Sequence, residues 1–118
     1  CVADESMKTY DDAVALVKGQ QPFGVFNIKL MKCGGIYQAL KIAEIAEAEG
    51  IDLMWGCFDE SKVSISGALH AALSCKNTKY IDLDGFFDLG WDLVTDGYIC
   101  ESGVIGPNNK IGIGVERG

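Results

Sequence analysis

The segment YIDLDG, residues 80–85, sets two carboxylates one residue apart in what reads as a buried strand. Side chains alternate across a strand, so Asp82 and Asp84 share one face while Ile81 and Leu83 sort to the other. Two like charges are therefore neighbours. Asp4, with Glu5 beside it, reads either as part of a helix N-terminal cap or as a hard-oxygen ligand for Mg²⁺. The same Asp-Glu-Ser string returns at 59–61, which makes Asp59 a rival for the metal role. In NIKLMK, 27–32, alternation puts Asn27, Lys29 and Met31 on one face and Ile28, Leu30 and Lys32 on the other, so one lysine must point inward. An inward lysine snorkels, pairs with a carboxylate or works as an acid/base, and a nearby divalent cation would push its pKa down toward a usable base.

Other chemistry-bearing residues have quieter readings. Gly34-Gly35 before a helix reads as a tight turn ahead of an anion site. Gly112 and Gly114 have no helix after them, which rejects a dinucleotide fingerprint. His70, the single histidine, falls in a helical SGALHAAL pattern as a packed residue, and Cys57 follows Gly56 at a strand end as a small buried side chain.

The elements that must position these residues are short β-forming runs alternating with segments of helical period, the pattern of parallel βα units. The first run ends at CVADES, and Thr9 or Ser6 caps a helix carrying Tyr10, Ala13, Val14, Leu16 and Val17 up to Gly19. Pro22 keeps the next stretch non-helical. GVFNIKLM then leads through Gly34-Gly35 into IYQALKIAEIAEAEG, the clearest helix. IDLMWGCF is followed by helical DESKVSISGALHAALSC, and KYIDLDGFF is the fourth run. The strand ends Asp4, Lys29, Gly56 and Asp84 are 25, 27 and 28 positions apart, the period of a βα barrel or a doubly wound sheet. After Gly85 the pattern changes, and GYICESGVIG and KIGIGVE read as two β segments of a terminal hairpin around Gly-Pro-Asn-Asn.

Composition bounds the rest. At 118 residues and 48% hydrophobic, one domain over 1–118 is expected. A net charge of −7 without a basic patch argues against a nucleic-acid surface. No apolar run reaches the roughly 18–20 residues of a membrane span. Five cysteines, an odd count without CxxC, suggest neither a disulfide framework nor a zinc site and point to reduced thiols in a cytoplasm. The chain opens on Cys1, already inside a strand, as if excised from something longer. Four strands cannot close a barrel that normally takes eight, so two open edges need a second copy or a missing half to cover them.

Taken together, ADES at 3–6, NIKLMKCGGI at 27–36, GIDLMWGCFDES at 50–61 and YIDLDG at 80–85 resemble the enolase superfamily, within its mandelate racemase/muconate lactonizing group, and more narrowly dipeptide epimerases of the L-Ala-D/L-Glu type. The resemblance covers nearly the whole chain. It implies an α/β fold, the C-terminal half of a (β/α)₇β barrel, strands five to eight, with a terminal β-hairpin. It also implies a Mg²⁺-dependent isomerase acting by α-proton abstraction and reprotonation on a small dipeptide. Asp4 then matches a metal ligand and Lys29 the lysine that exchanges the α-proton from one face. Cys57 falls where the family contacts the substrate, through backbone, and Asp82 and Asp84 match the pair that holds the substrate's α-ammonium. Muconate-cycloisomerase and succinylbenzoate-synthase relatives share the metal and lysines without an amine to bind. A second lysine, two metal carboxylates and a capping domain lie outside these residues, so the segment alone is expected to be inactive. The alternative from another class is a non-catalytic half-barrel that self-associates.

Overall fold

Lone βα units cannot bury their apolar stripes, and this chain solves the problem by lining up three of them and a fourth strand. The computed structural model describes residues 1–19 and 23–118. The expectation for Pro22 lies outside the described residues. Strands β1 (Val2–Ala3), β2 (Val25–Ile28), β3 (Asp52–Trp55) and β4 (Thr78–Ile81) form one parallel sheet in chain order. Between them run α1 (Tyr10–Lys18), the short α2 (Leu30–Cys33), α3 (Ile36–Ala48) and α4 (Lys62–Ser74). Right-handed crossovers in a sheet of sequential order put every helix on the same face. The core therefore lies on that face, where Phe26, Ile28, Leu53 and Trp55 meet Ala39, Ile42, Ile65 and Leu69.

Of the four helices, α1 and α4 begin at residues whose side chains cap them. Thr9, rather than Ser6, caps α1: its hydroxyl accepts the Asp12 N–H while the Asp12 carboxylate accepts the Thr9 N–H, a reciprocal capping box. α3 presents alanines at its buried positions 39, 43 and 46, which lets it lie close to the sheet. α4 is buried on more than one side, from Ile65 to Ala72. A helix that is apolar all round needs cover on both faces, and the segment after β4 provides it.

That segment contains the expected antiparallel hairpin, but with its turn and strand pairing at other positions. β6 (Tyr98–Glu101) and β7 (Val104–Pro107) pair antiparallel across Ser102-Gly103, both at positive φ, while β5 (Val94–Asp96) pairs with β8 (Val115–Arg117). The tight turn sits at Ser102-Gly103 because a two-residue hairpin loop needs left-handed backbone there, whereas Gly106-Pro107-Asn108-Asn109 leads out of β7. The Ser66 hydroxyl lies between the carbonyls of Gly97 and Ile113 and fixes this terminal region to α4. Asp92 completes the join, accepting the Ser61 hydroxyl and the Lys62 N–H at 2.7 Å each and so capping α4 from another segment.

Strand ends also shift. β2 stops at Ile28 and the chain turns into α2, so the expected alternation through Lys32 fails. Gly34, at φ +93, ends α2 in the left-handed conformation with its N–H on the Leu30 carbonyl. β4 stops at Ile81, so Asp82 and Asp84 lie just beyond the strand. The phase persists past its end: Asp82 N–H still bonds the Trp55 carbonyl at 2.8 Å, and Leu83 is buried while Asp82 and Asp84 are exposed. A register shift opposite Leu53 and Met54 sets that phase. Among the described residues no helix is long and apolar enough to cross a membrane.

Burial works against the Asp92 carboxylate, but its hydrogen bonds from Lys62 and Ser61 win and hold its pKa below the usual carboxylate value. The folded-state pKa is depressed, so the contribution is present above the unfolded value and is lost as pH falls through the folded one. Replacing Asp92 with Ala is expected to cost about 1 kcal/mol in urea denaturation at neutral pH, with the difference from wild type shrinking below about pH 4.

Candidate functional site

The four polar tips stand in a row along the carboxyl ends of the parallel strands, the edge where open α/β sheets bind their ligands. Asp4 follows β1, Lys29 follows β2, Gly56 and Cys57 follow β3, and Asp82 follows β4.

Asp4 is the most heavily engaged of them. Its Oδ2 accepts Lys29 Nζ at 3.1 Å and Asn27 Nδ2 at 3.2 Å, and its Oδ1 accepts Lys32 Nζ at 2.7 Å. Burial alone would raise this carboxyl, yet the hydrogen bonds and charges of Lys32 and Lys29 outweigh it and hold the pKa below the ordinary value. The expected choice between two lysines on opposite faces is thus overturned: both ammonium groups reach the same carboxylate, because α2 swings Lys32 back over the tip of β1. Lys32 also donates to the carbonyls of Asp4, Met7 and Asn27, at 2.9, 3.2 and 3.0 Å. It is a buried structural cation. Lys29, with fewer partners, has its ammonium 4.9 Å from the centre of the Phe58 ring.

Gly56 makes room for this arrangement. A Cβ there would stand 2.7 Å from Asn27 Oδ1 and 3.1 Å from Lys29 Cε, so glycine leaves the notch in which the lysine stem lies. Asn27 Nδ2 faces the carboxylate, which leaves Oδ1 buried and without a hydrogen-bond partner among the described residues.

The β3–α4 loop joins this end of the row to the other. The Cys57 thiol donates to the Asp82 carbonyl at 3.4 Å and accepts the Gly85 N–H at 3.3 Å. Burial pushes the thiol pKa up, the Gly85 N–H offsets part of this, and the charges of Glu60, Asp84 and Asp82 add to the rise. A protonated thiol is not a nucleophile. Asp82 and Asp84 remain exposed, and they border a groove of about 170 Å³ with Phe86, Cys100 and Ile105 at the free edge of β4. Asp59, the rival for Asp4, lies exposed in the loop before α4, and His70 is occupied within α4, its Nδ1 2.8 Å from the Ser66 carbonyl.

Residues 1–117 match the profile of the enolase C-terminal domain-like family. The chain belongs to that family. The L-Lys-D/L-Arg epimerase of Desulforapulum autotrophicum is 53% identical over 98% of the chain, and the L-Ala-D/L-Glu epimerase of Bacillus subtilis is 36% identical over 97%. A dipeptide epimerase from Methylococcus capsulatus, solved with a Mg ion, superposes with a TM-score of 0.94 at 52% identity over 99% of the chain. Family members of this kind are longer: the chain spans about a third of each, 32% of the Desulforapulum protein and 34% of the Methylococcus structure. The α/β fold of this family's C-terminal barrel region is therefore the fold of this chain.

Lys32, Asn27, Phe58 and Glu60 belong to the site and were not singled out as site residues from the sequence. Only Lys32 left a signal, since a glycine pair directly after LMKC marks a helical turn that would carry it back toward Lys29. Replacing Lys32 with Met strands buried carbonyls and removes one of two cations from Asp4. We expect a loss of about 2–3 kcal/mol in urea denaturation, against less than about 1 kcal/mol for Lys29→Met, whose ammonium is less buried.

Proposed function

We propose that residues 1–118 supply strands five to eight of the catalytic barrel of a Mg²⁺-dependent dipeptide epimerase in the cytoplasm, an isomerase that inverts an α-carbon by proton removal and return. The observation that carries this reading is the Asp4–Lys29 pair at neighbouring strand tips, 3.1 Å apart, with two exposed acids at the far end of the same row that make no ion pair among the described residues. The names of the relatives support it, as does the dipeptide L-Arg-D-Lys bound with Mg in a Methylococcus capsulatus structure at 54% identity.

In this reading Lys29 takes or returns the proton on one face of the α-carbon. The Gly56 notch leaves room for its stem, and its ammonium stands 4.9 Å from the centre of the Phe58 ring. Asp82 and Asp84 hold the free ammonium end of the dipeptide, and the backbone at Cys57 lines the space between. Asp4 offers one hard oxygen of the kind Mg²⁺ takes. Among the described residues no three His, Cys, Asp or Glu side chains cluster to hold an ion, so the other donors come from outside this chain. Mg²⁺, when bound, supplies positive charge next to the substrate carboxylate as its α-proton leaves. Cycloisomerase and succinylbenzoate-synthase chemistry leaves the acid pair without a cation to bind, which favours the dipeptide.

The chain alone, with Mg²⁺ and dipeptides in deuterated water, is expected to give no α-proton exchange. Grafted in place of the matching third of the Methylococcus capsulatus epimerase, it is expected to restore exchange. In that graft Asp84→Asn should lower kcat/KM on dipeptides by roughly 10- to 100-fold and leave substrates without an α-amine within about threefold. Equal losses on both would remove the ammonium role.

The half-barrel reading also has an observation behind it. The helix-free face of a parallel sheet is normally covered, yet here Val2 and Tyr80 on that face are 46% and 55% exposed, and β1 and β4 each have a free edge. Sedimentation of the isolated chain tests it: a dimer of twice 12.7 kDa supports closure by a second copy, and a monomer at micromolar concentration rejects it.

A further inference from the structure

The loop leaving β3 makes one connected set of contacts that touches both ends of the row. Glu60 is a buried carboxylate, 6% exposed, that accepts the Phe58 N–H at 2.7 Å and the Ser64 hydroxyl. It thereby locks the backbone of Phe58 to the first turn of α4. The Phe58 ring then lies by the Lys29 ammonium although the side chain is 49% exposed, so core burial does not account for its placement. On the other side, the Phe58 carbonyl sits where a Cβ of residue 85 would be, 1.9 Å from that point, so only glycine lets the Asp82–Gly85 turn approach. Cys57 closes the contact with its two hydrogen bonds, to the Asp82 carbonyl and from the Gly85 N–H.

We propose that Cys57, Phe58 and Glu60 are positioning residues that set the spacing between Lys29 and the Asp82/Asp84 pair, and that this spacing selects substrates whose ammonium stands one peptide unit from the carbon that loses its proton. This rests on the function proposed above. The two ends of the row come from strands β2 and β4, which do not pair with each other, and β3 with its loop is the element between them. The spacing matters because consecutive Cα atoms lie about 3.8 Å apart across a trans peptide, whereas the ammonium of a free amino acid is bonded to the reacting carbon itself at about 1.46 Å. A fixed distance between the base and the ammonium holder fits one of these geometries at a time, here assigned to the first. An adaptable turn would accept both.

Two measurements test this. In the 118-residue chain, amide exchange by NMR should show the Gly85 N–H exchanging about fivefold faster in Cys57→Ala. The Asp82 N–H, held by the Trp55 carbonyl, should be unchanged, and Cys57→Ser should recover most of the protection. In the graft, Cys57→Ala should raise KM for dipeptides about tenfold with kcat within about twofold, while N-acyl amino acids, which carry no ammonium, keep their KM. Unchanged Gly85 exchange, or an equal rise in KM for both substrate kinds, overturns the proposal. A graft inactive even with the native loop overturns the functional reading and the substrate selection with it, while the exchange result still decides whether Cys57 holds the turn.

Discussion

One carboxylate shared by two ammonium groups governs the first half of this site. β1 contributes only two residues to the sheet and lies at its edge, so backbone pairing alone holds it weakly. Lys32 makes up the difference. Its ammonium bonds the Asp4 carboxylate and the carbonyls of Asp4, Met7 and Asn27, stapling the tip of β1 to the tip of β2. The division of labour between the two lysines follows. Lys32 is the more enclosed and is committed to the fold, while Lys29 bonds the other carboxylate oxygen and has its ammonium beside Phe58. The carboxylate is thus fixed by a second cation three residues beyond Lys29, so its position does not rest on Lys29 alone.

The acids at the opposite end are in a different electrostatic state. Asp4 is neutralised by its own chain, whereas Asp82 and Asp84 are exposed and make no ion pair among the described residues. In a protein of net charge −7 an unmet pair of this kind lowers stability slightly and attracts cations. The row is therefore polar along its length, with a masked amine at one end and bare anions at the other. A ligand carrying both a carboxylate and an ammonium has a preferred direction along it.

Most of the architecture was legible because helical period and strand period differ clearly in this chain. α1, α3 and α4 fell where their apolar spacing put them, and three of the four strand tips, Asp4, Lys29 and Gly56, sit directly after the observed strands. The failures share a cause. NIKLMK alternates well enough to pass for strand, and only the left-handed Gly34 and the pull of two ammonium groups on one carboxylate turn it into α2. The Asp92 cap on α4 spans 31 residues, and the Ser66 contact with Ile113 spans 47. Contacts that long leave no local pattern. The Cys57 thiol likewise reads as a small buried side chain until the turn at Asp82–Gly85 is packed against it.

Those long contacts give the terminal region a role beyond covering α4. Gly97 and Ile113 hold Ser66, and Asp92 holds Ser61 and Lys62, so the connections before β5, β6 and β8 fix the N-terminal half of α4. α4 in turn carries Ser64, which binds Glu60, and Glu60 sets the backbone of Phe58. Phe58 and Cys57 then meet Lys29 on one side and the Asp82–Gly85 turn on the other. The polar tips need this support from behind because their own strands are short, four residues at most. A four-residue strand sets the direction of its last side chain, but the distance between tips on non-adjacent strands depends on what is wedged between them. In this fold the wedge is the β3–α4 loop, and its rigidity comes from a helix whose far side is buried by the last quarter of the chain.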